Sequence, residues 1–129
     1  MAASYLEASL DALAPAIGRP DVIEICINPD GSTWGEFHGD HFMSALGTPL
    51  SQTAIKDLGN QIASAAGTTL SQKKPIVSVS ILYRDRPIRA QVIQPPAVEG
   101  GFSISLRFFS SLPLEEIKLA YLFDKETSL

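Results

Sequence analysis

One cysteine, one tryptophan and two methionines are all that this 129-residue chain has of those three types. A lone Cys26 closes no intrachain disulfide, so no cystine framework holds the fold. Lying inside the apolar run VIEICIN, it reads as a buried thiol. Charged residues are 19% of the chain, below the roughly 25% usual in soluble domains, yet 45% is hydrophobic, which excludes disorder. No apolar run approaches the ~18 residues of a membrane-spanning helix. The opening MAASYLEASLDALA carries Glu7 and Asp11 and lacks the basic segment of a secretory signal, so a cytoplasmic domain is expected. The length suits one domain, residues 1–129, around one core.

Catalytic motifs are missing too. The pattern G-x-x-x-x-G-K-[ST] does not occur, so the chain has no glycine-rich amide cradle, no lysine and no Mg²⁺-holding hydroxyl of a P-loop. On its own it is not expected to hydrolyse nucleotides. There is no G-x-S-x-G elbow, and no general base accompanies Cys26. His38, Asp40 and His41 lie close together in HGDH, but a closed zinc site takes four ligands and no further Cys or His is near. They read as surface turn residues.

Charge is unevenly spread. Residues 1–72 hold eight acids and two bases, whereas residues 73–129 hold six acids and eight bases. Between Lys73 and Arg107 six bases stand against two acids. The net charge of −4 and a pI near 5.0 argue against general nucleic-acid affinity. No nucleic-acid partner is expected.

Leu6, Leu10, Leu13 and Ile17 line one helical face. Pro15 and Gly18 suggest that this helix spans about 4–14. The β-branched run VIEICIN alternates Ile23, Ile25 and Ile27 with Glu24 and Cys26, as a strand does. Asn28-Pro29-Asp30-Gly31 supplies a turn, Ser32–His38 a second strand, and His41–Leu46 a third. Ser51 is a good N-cap, Leu50 and Ile55 form a hydrophobic staple, and Ile55, Leu58, Ile62 and Ala65 make the buried stripe of helix 52–66. Gly67 ends it. Alternating runs follow at Ile76–Leu82, Pro87–Gln94 and Phe102–Phe109, then a last helix over 113–122. With no β-α-β run, the pattern predicts an α+β fold: a mostly antiparallel sheet of about five or six strands with helices packed on one face.

The most informative residues are Arg89 and Arg107. Both fall on the polar face of their strands, Arg89 with Gln91 and Arg107 with Ser103 and Ser105. An antiparallel register centred on Val98 pairs Val92 with Ile104, Ala90 with Leu106, and Arg89 with Arg107, keeping apolar against apolar throughout. Like charges opposite one another cost roughly 0.2–1 kcal/mol. An anion between them reverses that sign, because guanidinium forks match phosphate or carboxylate oxygens. The plainer alternative is that both point into water, where screening weakens the repulsion. Asp85, between Arg84 and Arg86, reads as the tip of a solvated turn, with a contribution to the same anion site as the sharper option.

VIEICINPDGSTWGEF is similar to the first hairpin of the traffic ATPases of bacterial type IV secretion systems, the VirB-eleven family, with its E-[IV]-x-[IV]-N-x-x-G-x-[VI]-[WF] run. KKPIVSVSILYRDRPIRAQVIQPPAVEGGFSISLRFFSSLPLEEI resembles that family's P-[IL]-[LV]-S-A run, G-E-R-[IV]-Q hairpin, P-P-A, S-[IV]-S-[IV]-R-K-P-S and leucine-acid helix start. The similarity covers roughly residues 18–118, and its specificity lies in order and spacing. It implies an N-terminal domain whose RecA-like C-terminal ATPase domain is absent from this chain. It further implies a homohexameric ring and nucleotide held between the two domains. ATP and Mg²⁺ would bind the full-length protein and neither would bind this chain alone. Implied partners are the chain's own C-terminal ATPase domain, neighbouring subunits and other secretion-system components at the cytoplasmic side of the inner membrane. Arg89 matches the arginine of the R-[IV]-Q motif and Arg107 that of the S-[IV]-R motif, which implies that both reach the nucleotide phosphates. Arg86-Pro87 departs from the usual Gly-Glu. Phe108-Phe109 replaces Lys-Pro, suggesting exposed aromatic surface for a neighbouring subunit. Pilus-retraction and type II secretion ATPases share the architecture. From another class, a stand-alone α+β module for an acidic ligand or protein partner fits the same residues. A P-loop encoded beyond Leu129 would separate the two.

Overall fold

The computed structural model describes residues 2–68, 75–94 and 101–109. The helix expected over 113–122 lies outside them.

Helix α1 (Ala2–Leu10) passes through a single 3₁₀ turn (Asp11–Leu13) into the short α2 (Ala14–Ile17). The helical run therefore outlasts the expected end near residue 14. Pro15 stands in the first turn of α2, where its missing N–H breaks no intrahelical bond. The expected stripe is buried through its last member, with Leu6, Leu10, Leu13 and Ile17 all inside.

Strands β1 (Val22–Ile27) and β2 (Thr33–Phe37) form the first hairpin. A bulge between Val22 and Glu24 shifts the alternation, so Val22 is buried and Ile23 only partly, against the expectation for Ile23. At the turn, Asp30 Oδ1 accepts from the Ser32 amide at 2.9 Å and the Ser32 hydroxyl at 2.7 Å. Gly31 has φ +95°, and a Cβ there would collide with the Leu50 carbonyl oxygen. Only glycine fits. Strand β3 shortens to Ser44–Ala45.

Helix α3 (Gln52–Ala65) starts as expected, the Ala54 amide donating to Ser51 Oγ at 3.1 Å. It ends in a Schellman motif. The Thr68 amide reaches the Ala63 carbonyl, the Gly67 amide reaches Ser64, and Gly67 sits at φ +73°. The buried stripe comprises Ile55, Leu58, Gly59, Ile62 and Ala63, while Ala65, at the stripe's edge in the last turn, is exposed.

Strands β4 (Ile76–Tyr83), β5 (Arg86–Ile93) and β6 (Ser103–Phe108) complete a six-stranded antiparallel sheet in the order β3-β2-β1-β6-β5-β4. The fold is α+β with an open sheet. Val77, Ile81, Ile88, Ala90, Val92, Ile104, Leu106, Ile25 and Ile27 pack with the helical stripes into one core. Because side chains alternate along a strand, helices on one face leave the polar residues of the central strands on the other.

Candidate anion site on the open face of the sheet

The β5–β6 register is the symmetric one the sequence suggests: Val92 opposite Ile104, Ala90 opposite Leu106, Arg89 opposite Arg107. Cross-strand pairing then extends both ways. Glu24 of β1 faces Arg107, and Glu36 of β2 faces Glu24. Ser80 of β4 faces Arg89. The sheet thus carries a charged row running Glu36, Glu24, Arg107, Arg89, Ser80. Beside it runs a second row of Trp34, Cys26, Ser105, Gln91 and Ser78.

Between the rows lies a depression of about 200 Å³ lined by Glu24, Ser78, Arg89, Gln91, Ser105 and Arg107. Both arginines are exposed. Among the described residues, neither forms an ion pair with a carboxylate. Glu24 Oε1 instead accepts the Ser105 hydroxyl at 2.7 Å. Two guanidiniums side by side, without an ion pair among the described residues and with amide and hydroxyl groups beside them, suit an oxyanion, while Glu24 bounds one end of the depression. Exposed charges interact weakly with an anion in water and more strongly where solvent is excluded.

Cys26 is half-buried on this open face rather than sealed in the core, because the inward positions of β1 belong to Ile25 and Ile27. Burial and then the Glu24 charge push its thiol pKa up, which makes it a poor nucleophile at neutral pH.

The Arg84–Asp85–Arg86 turn lies elsewhere. Arg84 and Asp85 have φ +48° and +66°, as a two-residue type I′ hairpin requires. Arg84 pairs with Asp11 at 3.3 Å. Arg86 Nη1 donates to the carbonyls of Ile17 and, at 3.0 Å, Arg19, and its guanidinium sits 5.0 Å from the Phe108 ring centroid. Desolvation pulls the Arg86 pKa below the ordinary arginine value. The turn borders a different cavity, of about 500 Å³, that shares no lining residue with the anion depression. Arg86 is thus held against the end of α2, not solvated, and the turn does not join the arginine pair. The expected aromatic surface is halved: Phe108 is 7% exposed beneath Arg86, Phe109 58%.

Sequence reasoning missed Glu24 and Ser78 as neighbours of the pair. Glu24 meets Ser105 across 81 positions of sequence, through a β1–β6 pairing that no turn signals. Among the described residues, no three His, Cys, Asp or Glu groups gather to hold a metal ion. None of the described helices is long and apolar enough to cross a membrane.

No protein-family model matches the chain. Over 99 residues it is 28% identical to the type IV secretion system protein PtlH of Bordetella pertussis, a match covering 76% of this chain and 28% of PtlH. The PtlH homologs of Bordetella parapertussis and Bordetella bronchiseptica match to the same extent. The chain is homologous to a type IV secretion protein. Its fold is that of the N-terminal region of the VirB11 ATPase from the Brucella suis type IV secretion system, solved in complex with sulphate. That likeness has a TM-score of 0.73 at 24% identity and covers 93% of this chain and 37% of the other. The pilus retraction motor PilT with bound ADP shares the fold more loosely, with a TM-score of 0.55 at 16% identity over 85% of this chain and 34% of PilT. The chain spans about a third of the length of the proteins it matches. The resemblance and the α+β fold read from the sequence both stand.

Proposed function

We propose that this chain is the N-terminal, ring-forming domain of a hexameric type IV secretion ATPase. In this reading Arg89 and Arg107 contact the nucleotide phosphates at the interface with a C-terminal ATPase domain. The observation that carries the reading is the cross-strand arginine pair, exposed and without an ion pair among the described residues, over a depression lined also by hydroxyl and amide groups and by Glu24. A pair already clamped by carboxylates would be structural; this one has its hydrogen-bonding capacity to spare. Homology to PtlH and the VirB11 fold support the same assignment.

The donor set fits a phosphoryl group but not a whole catalytic site. Arg89 and Arg107 supply forked N–H donors, and Ser78 and Gln91 supply neutral ones. Without a P-loop in this sequence, hydrolysis falls to the adjoining domain. ATP, when bound with Mg²⁺, supplies the phosphate charge and the free energy of its hydrolysis. The chain's own residues hold that charge in the closed state and release it once it is lost. The domain therefore swings between two positions that differ in electrostatic contact. Linked around a homohexamer, such swings drive substrate export or pilus assembly at the cytoplasmic face of the inner membrane.

The test is made on the protein with its ATPase domain attached. Arg107→Ala lowers nucleotide affinity or turnover while this domain stays folded, and Arg89→Ala does the same. Unchanged kinetics in both variants would count against the assignment.

A further inference from the structure

We propose that Glu24 is a specificity-determining residue of this pocket, making it favour a phosphoryl group whose charge is partly neutralised by a divalent cation over a bare polyanion. The inference rests on the phosphate-site reading of Arg89 and Arg107 and adds a residue that the reading leaves idle.

Glu24 stands directly across from Arg107 and lines the same depression as both arginines. Its Oε1 takes the hydroxyl proton of Ser105 at 2.7 Å, so Ser105 turns lone pairs, not a donor, toward an incoming anion. Glu36 faces Glu24 from the other side and adds a second negative charge to that end of the row. The depression is thus polarised, with two guanidiniums at the β5–β6 end and a carboxylate at the β1 end. A bare polyanion seated on the arginines meets repulsion from Glu24 and a hydroxyl that offers it no proton. An anion carrying a chelated cation meets attraction at the same wall, because Glu24 faces the cation as well as the phosphate charge. Selectivity of this kind comes from the unfavourable contact as much as from the favourable one.

The experiment titrates the chain, Glu24→Gln and Glu24→Asp with inorganic pyrophosphate, followed by heteronuclear NMR, with and without Mg²⁺. Gln keeps an acceptor for Ser105 and removes the charge; Asp keeps the charge. Glu24→Gln is expected to tighten bare pyrophosphate about fivefold and Mg²⁺-pyrophosphate less than about twofold, as loss of one screened repulsion implies. Glu24→Asp should stay near wild type. Equal gains with and without Mg²⁺, or no gain in either, would overturn the role of Glu24. Arg107→Ala in parallel separates the two claims. If it abolishes binding while Glu24→Gln changes nothing, the phosphate site stands and the Glu24 inference falls. If it binds like wild type, the phosphate site itself falls, and Glu24 with it.

Discussion

Two arginine pairs each place one member in strand β5, Arg86 in one and Arg89 in the other, and the fold treats them in opposite ways. Arg84 and Arg86, at the hairpin tip, spend their guanidiniums on partners within the chain: Arg84 on Asp11 at the surface, Arg86 on carbonyls at the end of α2 and over Phe108. Arg89 and Arg107, on the open face of β5 and β6, pair with no carboxylate among the described residues. Residue type is the same; internal partners make the difference. An arginine tied to helix-terminal carbonyls contributes to stability, since cations suit that end of a helix. One left facing a like charge weakens the fold slightly, and its donors stay open to a ligand from outside.

The contrast is best broken at the hairpin corner, where effects on stability are largest. Arg86→Ala should cost about 1–2 kcal/mol in urea unfolding, through lost charged hydrogen bonds, and leave anion binding untouched. The figure stays modest because Arg86 Nε and Nη2 have no partner among the described residues to lose. Tyr83→Phe comes next, at about 1 kcal/mol, for the 2.6 Å bond that the phenol donates to Asp11. That bond also sets a pH dependence. Burial first, and the Asp11 bond second, raise the Tyr83 pKa above its ordinary 10.0. The folded state therefore holds this proton longer than the unfolded chain. The resulting stability is complete below about pH 10 and is lost as pH rises through the folded value. Tyr83→Phe removes that alkaline decline in a pH series of thermal melts. Single Arg89→Ala or Arg107→Ala variants should shift stability by less than about 0.5 kcal/mol, with slight stabilisation from relieved repulsion. Arg84→Ala, breaking an exposed ion pair, should be the smallest change, again within about 0.5 kcal/mol. A large loss of stability at Arg89 or Arg107 would erase the distinction between the pairs.

How far the sequence speaks depends on the distance over which each feature is decided. The Ser51 cap, the Gly67 stop and the strand alternations are set by residues within a turn of one another, and they were legible. The Arg89–Arg107 register was legible because the two runs are neighbours in sequence and the symmetric alignment centred on Val98 keeps the inner face apolar. Ile23 was misplaced because a single bulge inverts the phase of alternation. Glu24 escaped because its neighbours come from a strand at the other end of the chain. Arg86 escaped as well: nothing near it in sequence says that α2 ends beneath its guanidinium.

The central claim, that the open-face pair receives a phosphate-bearing ligand, is tested most directly by titrating ATP into the protein with its ATPase domain attached, as wild type and as the Arg89→Ala/Arg107→Ala double variant, under heteronuclear NMR. In the wild type, saturable shifts should gather at Ser78, Arg89, Gln91, Ser105 and Arg107. In the double variant affinity should fall at least about tenfold with the fold intact, as removal of two charged contacts implies. Equal affinity in the two proteins, or shifts centred on the Arg84–Arg86 corner, would contradict it.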